Sequence, residues 1–498
     1  MNAFPQSPAE AYPRRWAALA VLLLAGFMNL VDVSIVNVAL PSMQHSMGAT
    51  SSDIEWVAAA YVLAFALGLL PFGRLGDRIG RKSMFLVGVA GFTIFSLLCG
   101  MAPTMTTLII ARVLQGLAAA MMVPQVLAIV QAMFPPQERG LAFSLFGMSA
   151  GLASVAGPLA GGLLIEANFY GLDWRPIFLV NIPIGVLAII AAWILVPRSE
   201  PNPELTNDWG GTLIAAASVF LLIFPLVEGH SYGWPAWTFA MIAAAILGFA
   251  LFYFYERMRA RAGKTELLPT ALLANGNFVL GSVMTVVFFS GVSGFFLVLA
   301  VFLQSGFGFS PLESGLTTIP FPVGVLIASV ISGRVGMRWQ RQRIVIGSLA
   351  LAIGMAFLGY QLADVADTVN HWNLVAPLML CGFGLGVGIS PMFQMVLATV
   401  PPRDAGSGSG ALQSFQQMGS AVGIAITGQI FFSSLTSKFT EGSLPHPAFV
   451  SSLERALVYE VLAFLLVAGL VVFLRKPAAG NPAQSYAPRQ QEPVVAEI

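Results

Sequence analysis

Charge is what this chain has least of. Only 9% of its 498 residues are Asp, Glu, Lys or Arg, against about 25% in an ordinary soluble domain. With 57% hydrophobic residues, the composition excludes a soluble globular protein of this size and implies one that crosses a membrane many times. A net charge of +1 with no basic run leaves nothing for nucleic acid to bind. Cysteine is almost missing. Cys99 and Cys381 fall in distant apolar segments, which suits packing better than a disulfide or a metal site. No P-loop, nucleophile elbow or His/Asp/Glu metal cluster accompanies the apolar segments, and no loop is long enough for a soluble catalytic domain, so an enzyme is not expected.

What is present is a series of apolar runs of about 20 residues, bounded by Pro, Gly and charge. Six are predicted at 15–40, 52–72, 82–102, 104–131, 139–165 and 174–196, and two more at 209–228 and 236–256. The last six follow at 277–304, 312–333, 343–362, 372–399, 409–434 and 456–474. The first run exceeds a signal-peptide core and is kept as a span. The expected fold is an all-α integral membrane protein of fourteen helices. Its divisions are a six-helix bundle over 15–196, two linking helices over 197–264 and a second six-helix bundle over 265–476. Tails at 1–14 and 477–498 read as disordered. With both termini in the cytoplasm, 20 of the 24 Lys and Arg fall on inner loops and tails, an asymmetry that one missed span would scramble. The reading is a multi-pass protein of the cytoplasmic (inner) membrane.

The two bundles repeat one another. GRLGDRIGRKS at 73–83 recurs as GRVGMRWQRQR at 333–343, and FPPQERG at 134–140 is echoed by VPPRDAG at 400–406. Parallel repeats of this kind are a transporter architecture, with a site near mid-membrane where the halves meet.

The first span carries Asp32. A carboxylate there costs about 2.5–3.5 kcal/mol on insertion scales, so it is expected to face a polar interior and to bind and release a proton. Asn29, three residues earlier, lies close to the same helical face. All four histidines fall outside the spans, which leaves a carboxylate as the only available carrier. Arg112, within the fourth span, also needs a partner. Beside Asp32 it would favour the ionised acid while burial would favour the neutral one. A static buried ion pair is the plainer alternative. Glu228, Glu313 and Glu460 read as lying near the outer ends of spans, in contact with water, with no second acid deep in the membrane.

These residues carry a resemblance. Gly73-Arg-Leu-Gly-Asp77-Arg78-Ile-Gly80-Arg81-Lys82, the run Ala111-Arg112-Val-Leu-Gln115-Gly116, the sequence Gly157-Pro158-Leu-Ala-Gly161-Gly162 and the stretch Trp174–Gly185 are similar to signatures of the major facilitator superfamily. More narrowly, they resemble its fourteen-helix drug:proton antiporters. The resemblance implies that Gly73, Asp77, Arg78, Gly80 and Arg81 form a conformational latch through charge and helix-dipole contacts, with Glu138 as a candidate partner. Met337 replaces the counterpart of Asp77, so the latch is expected on one side only; a loop that merely sets topology is the alternative. It also places Arg112 near the first helix. Gly157, Pro158, Gly161 and Gly162 form a helix motif that the superfamily's antiporters carry and its symporters and uniporters generally do not.

Polar positions in spans supply substrate-binding candidates. These are Asn29, Asn37, Gln115, Gln125, Asn181, Gln304, Gln394 and the stripe Gln413, Gln416 and Gln417. Phe295 belongs to an aromatic ridge with Phe288 and Phe302. Tying helices together serves the amides equally well, and core or lipid contact is the commoner use of such a ridge. The implied function is export of amphipathic drugs in exchange for protons, with no cofactor. Export of one metabolite, such as a siderophore, amino acid or fatty acid, is the rival. A non-transporting receptor or membrane enzyme has no positive signal. Some relatives hand cargo to a periplasmic adaptor and outer-membrane channel; the predicted outer loop of about 20 residues between spans 13 and 14 is where such a partner would dock.

Overall fold

The computed structural model describes residues 12–49, 51–202, 205–206, 208–229, 232–335, 339–363 and 368–474. Met337 and the tail at 477–498 lie outside the described residues, as does the side chain of Asn37. Among the described residues there are seventeen α-helices and no strand. In a bilayer the backbone must satisfy its own hydrogen bonds, and a helix does so within one segment. The first half holds α1 (Arg15–Met47), α2 (Ser51–Ile79), α3 (Arg81–Gly100), α4 (Met105–Met133), α5 (Pro136–Ala167), α6 (Pro176–Leu179) and α7 (Asn181–Leu195). Next come α8 (Trp209–Glu228), α9 (Ala236–Arg261) and the short α10 (Thr270–Leu273). The second half holds α11 (Gly276–Val301), α12 (Pro311–Thr317), α13 (Pro320–Val335), α14 (Gln340–Ala363), α15 (His371–Leu397), α16 (Ala405–Thr440) and α17 (Pro445–Leu470). Among the described residues fourteen helical spans are long and apolar enough to cross a membrane, α6 with α7 and α12 with α13 each forming one.

The repeat seen in the sequence is a repeat of packing. In the first half α2 and α3 lie against α4, and α1 lies against α5 and α7. In the second, α13 and α14 lie against α15, and α11 lies against α16 and α17. The halves meet where α2 packs on α16 and α5 on α13. Helix α8 lies across the first of these seams, with Val219 and Ile223 packed beside Ala66 of α2 and Met418 and Ala421 of α16.

Three expectations need correction. The tail at 1–14 is anchored at its end: Tyr12 is buried and its hydroxyl donates to the Leu195 carbonyl at 3.1 Å. The outer loop between spans 13 and 14 shrinks to Glu441–Leu444, because α16 runs on to Thr440 and α17 begins at Pro445. Hydropathy marks only the part of a helix that lies in hydrocarbon, and backbone hydrogen bonding carries both helices past it. The third correction follows from the second. Glu460 stands well inside α17, fully buried, instead of at its wet end, and Glu228 is buried as well.

Candidate functional site

Asp32 faces inward from α1 at 0% exposure, and three donors converge on it. Arg112 of α4 donates from Nη1 to Oδ2 at 2.6 Å, while Gln115 Nε2 and Asn181 Nδ2 donate to Oδ1 at 2.9 and 3.0 Å. Arg112 and Gln115 are one helical turn apart, so a single face of α4 presents both. Asn181 reaches in because the sixth span breaks at Val180, leaving Asn181 to open α7. Pro183 has no N–H to offer the Leu179 carbonyl, which is why the helix does not run straight through.

An outer ring fixes these donors. Arg112 Nε donates to the Val57 carbonyl at 3.1 Å, and its Nη1 also reaches Gln115 Oε1 at 2.8 Å. The guanidinium lies 4.1 Å over the Tyr61 ring. Tyr61 in turn donates to Asn29 Oδ1 at 2.5 Å. Asn181 donates to Ser96 Oγ at 3.0 Å, and Ser96 to the Phe178 carbonyl at 2.9 Å. Five spans thus contribute to one buried cluster, its ion pair enclosed at 1% and 0% side-chain exposure. The donor set complements an ionised carboxylate, and both oxygens are engaged.

The Gly-Pro motif lies directly beyond this cluster. A Cβ on Gly157 would sit 1.9 Å from Ser34 Oγ and 3.0 Å from the Ile35 nitrogen. The missing side chain lets α5 touch α1 two residues past Asp32, and Ser34 donates to the Ala153 carbonyl at 3.1 Å across the contact. Gly161 also packs on Ile35, whereas Gly162 faces open space.

At the basic end of the molecule the halves are bolted together. Asp77 accepts from Arg81 Nε at 3.0 Å and from the backbone nitrogens of Gly406 and Ser407 at 2.8 and 2.9 Å. Those are free N–H groups at the start of α16, where the helix favours negative charge. Arg81 Nη2 donates to the Pro402 carbonyl at 2.5 Å. Arg74 pairs with Asp404 at 2.7 Å across the seam. Gly73 permits the contact, since a Cβ there would lie 2.4 Å from the Gly406 carbonyl oxygen. Further ties are Gln131 to the Leu397 carbonyl, Ser409 to that of Pro124 and Ser390 to that of Gly140. Gly80, at φ 99°, breaks the chain between α2 and α3, and the Arg78 carbonyl accepts from Asn202. Glu138 stands elsewhere. It binds Arg15 of α1 in a two-pronged pair at 2.5 and 2.8 Å.

The candidate ligand residues therefore separate. Asn29, Gln115 and Asn181 join Asp32 and Arg112 in one cluster. Gln125 ties α4 to the Phe72 carbonyl, and Gln394 bonds Ser390 and Gln340 near the basic end. Gln304 sits in a π-helical turn, Phe302–Gly306, that extends α11. Phe295 is enclosed in the hydrophobic core. Gln413 and Gln416 each hold a buried amide atom with no partner, and Gln417 shares their helix. Tyr61, Ser96, Arg74 and Asp404 were not anticipated. The repeat contained a signal for one of them, because Asp404 aligns with Glu138 once the Pro-Pro pairs at 135 and 401 are superposed.

Comparison with known proteins agrees with this architecture. The family model described as Major Facilitator Superfamily matches residues 22–424 and 281–496. The chain is 40% identical over 430 residues to a probable actinorhodin transporter of Streptomyces coelicolor, covering 86% of this chain and 74% of that one. It is 31% identical to the multidrug resistance protein Stp of Mycobacterium tuberculosis, over 84% of this chain and 77% of that protein. Among solved structures, the human organic anion transporter MFSD10 superposes with a TM-score of 0.65 at 15% identity, covering 92% of this chain and all of that one.

Proposed function

The chain belongs to the major facilitator superfamily and is a transporter rather than an enzyme; from that premise we propose that it exports amphipathic compounds across the cytoplasmic membrane in exchange for protons. One observation carries the reading: a carboxylate deep in the first half, held by an arginine that has other partners to fall back on. When a proton reaches Asp32 from outside, the Arg112–Asp32 pair is lost, while Arg112 keeps the Val57 carbonyl and the Tyr61 ring. That loosens α1 from α4. Because α1 also packs on α5 through Gly157, and α5 on α13 of the other half, the release is felt where the halves meet. The basic end then opens, the ties from Asp77 and Arg74 to the start of α16 part, and cargo enters as the proton leaves inward. One proton moving through about 100 mV supplies about 2.3 kcal/mol, enough for a gradient of roughly 45-fold in a neutral cargo.

The test uses purified protein in proteoliposomes with ethidium as probe. Wild type should extrude ethidium on a pH gradient, and Asp32→Asn should insert normally and lose that exchange entirely. Undiminished exchange by Asp32→Asn sinks the reading. A narrower cargo range is favoured by the relative named for one compound. A panel of drugs and metabolites competing against ethidium separates the two, since a dedicated exporter responds to one chemical class.

A further inference from the structure

The proposed cycle leaves several buried acids unused, among them Glu228, Glu256 and Glu460. Glu460 of α17 is 0% exposed, and neither Oε1 nor Oε2 has a hydrogen-bond partner among the described residues. Its neighbours one turn away on α17 are apolar. Phe464, a turn further along α17, fills the space at Gly291 of α11, and Leu457, a turn before, lies against Gly359 of α14. The titratable groups that interact with it electrostatically are the Cys381 thiol on α15 and the Tyr459 hydroxyl on its own helix. No described basic side chain forms an ion pair with it.

An ionised carboxylate with no donor in such a place would cost several kcal/mol, so Glu460 holds its proton here. Even the neutral acid forfeits its hydrogen bonds, a cost that leucine would not incur. Its depth is the second observation. At 1.5 Å per residue, Asp32 stands ~25 Å from Arg15 at the basic end of α1, and Glu460 stands ~20 Å from Leu474, which Arg341 ties to that same end. The two acids occupy nearly one level, on the first helix of one half and the last helix of the other.

We propose that Glu460 is a second proton carrier. It is protonated while the basic end is shut, as in this structure. It gives its proton to water on the cytoplasmic side when α17 shifts against α11 and α14, and regains one from outside on return. The cycle then moves two protons per cargo molecule. This rests on the antiporter reading and adds a second acid to it.

The experiment combines a spectroscopic and a transport readout on the full-length protein. Infrared titration across about pH 5 to 9 should show a buried protonated carboxyl band that disappears in Glu460→Gln and persists in Asp32→Asn. In proteoliposomes, a pH dye and ethidium together give protons moved per probe. Glu460→Gln should halve that ratio, and Glu460→Asp should restore it. A band that never titrates, together with an unchanged ratio in Glu460→Gln, overturns the proposal and leaves Glu460 a structural acid. Should wild type extrude ethidium without moving protons, the antiporter reading fails instead. Should Glu460→Gln not fold, Glu460→Asp decides: a titrating band sustains the assignment and a silent one ends it.

Discussion

The two halves share one packing scheme yet house their buried acids in opposite ways. In the first, Asp32 is surrounded by Arg112, Gln115 and Asn181, each held by a further partner. In the second, neither oxygen of Glu460 has a hydrogen-bond partner among the described residues. Equal burial therefore does not mean equal surroundings: what differs is whether donors are aimed at the oxygens. A duplicated bundle can differentiate by changing a handful of polar side chains while leaving its helix contacts alone.

That contrast can be broken from either side. The largest effect is expected from Arg112→Leu, which strips Asp32 of its cation and leaves only the Gln115 and Asn181 amides on Oδ1. Removing one partner of a buried pair costs about 3–5 kcal/mol, so the melting temperature of the purified protein should fall sharply, and Arg112→Leu with Asp32→Asn should recover much of it. A smaller loss, about 1–3 kcal/mol, is expected from Gly157→Ala, whose methyl must displace Ser34 or part α1 from α5. Gly162→Ala, which meets open space, is its control and should stay within about 0.5 kcal/mol of wild type. The smallest change has the opposite sign. Glu460→Leu removes unsatisfied polar atoms and should raise stability by about 1 kcal/mol while impairing proton movement. A thermal-shift series in one detergent ranks all of these.

Much of the fold was legible because lipid imposes simple rules. Apolar length counted the spans, and the cost of charge within them picked out Asp32 and Arg112. What stayed hidden was geometry beyond the apolar window. Residues 445–455 mix Ser, Glu and Arg with apolar ones and read as loop, yet they are the outer turns of α17. Starting the helix too late placed Glu460 at the surface. The partners of Asp32 were half visible: Gln115 follows from helical spacing, whereas Ser96 and Tyr61 sit on other helices at no fixed interval. Asp404 illustrates a different gap. The repeat named the position, but only the fold shows that it faces Arg74 while Glu138, its counterpart, turns to Arg15.

The placement of α8 has a bearing on how greasy molecules arrive. Its side chains Val219 and Ile223 fill the crevice between α2 and α16, a wedge that a greasy solute would have to displace to enter there. At the opposite seam Gly151 of α5 abuts Val325 of α13 directly, so the two crevices between the halves are closed by different means.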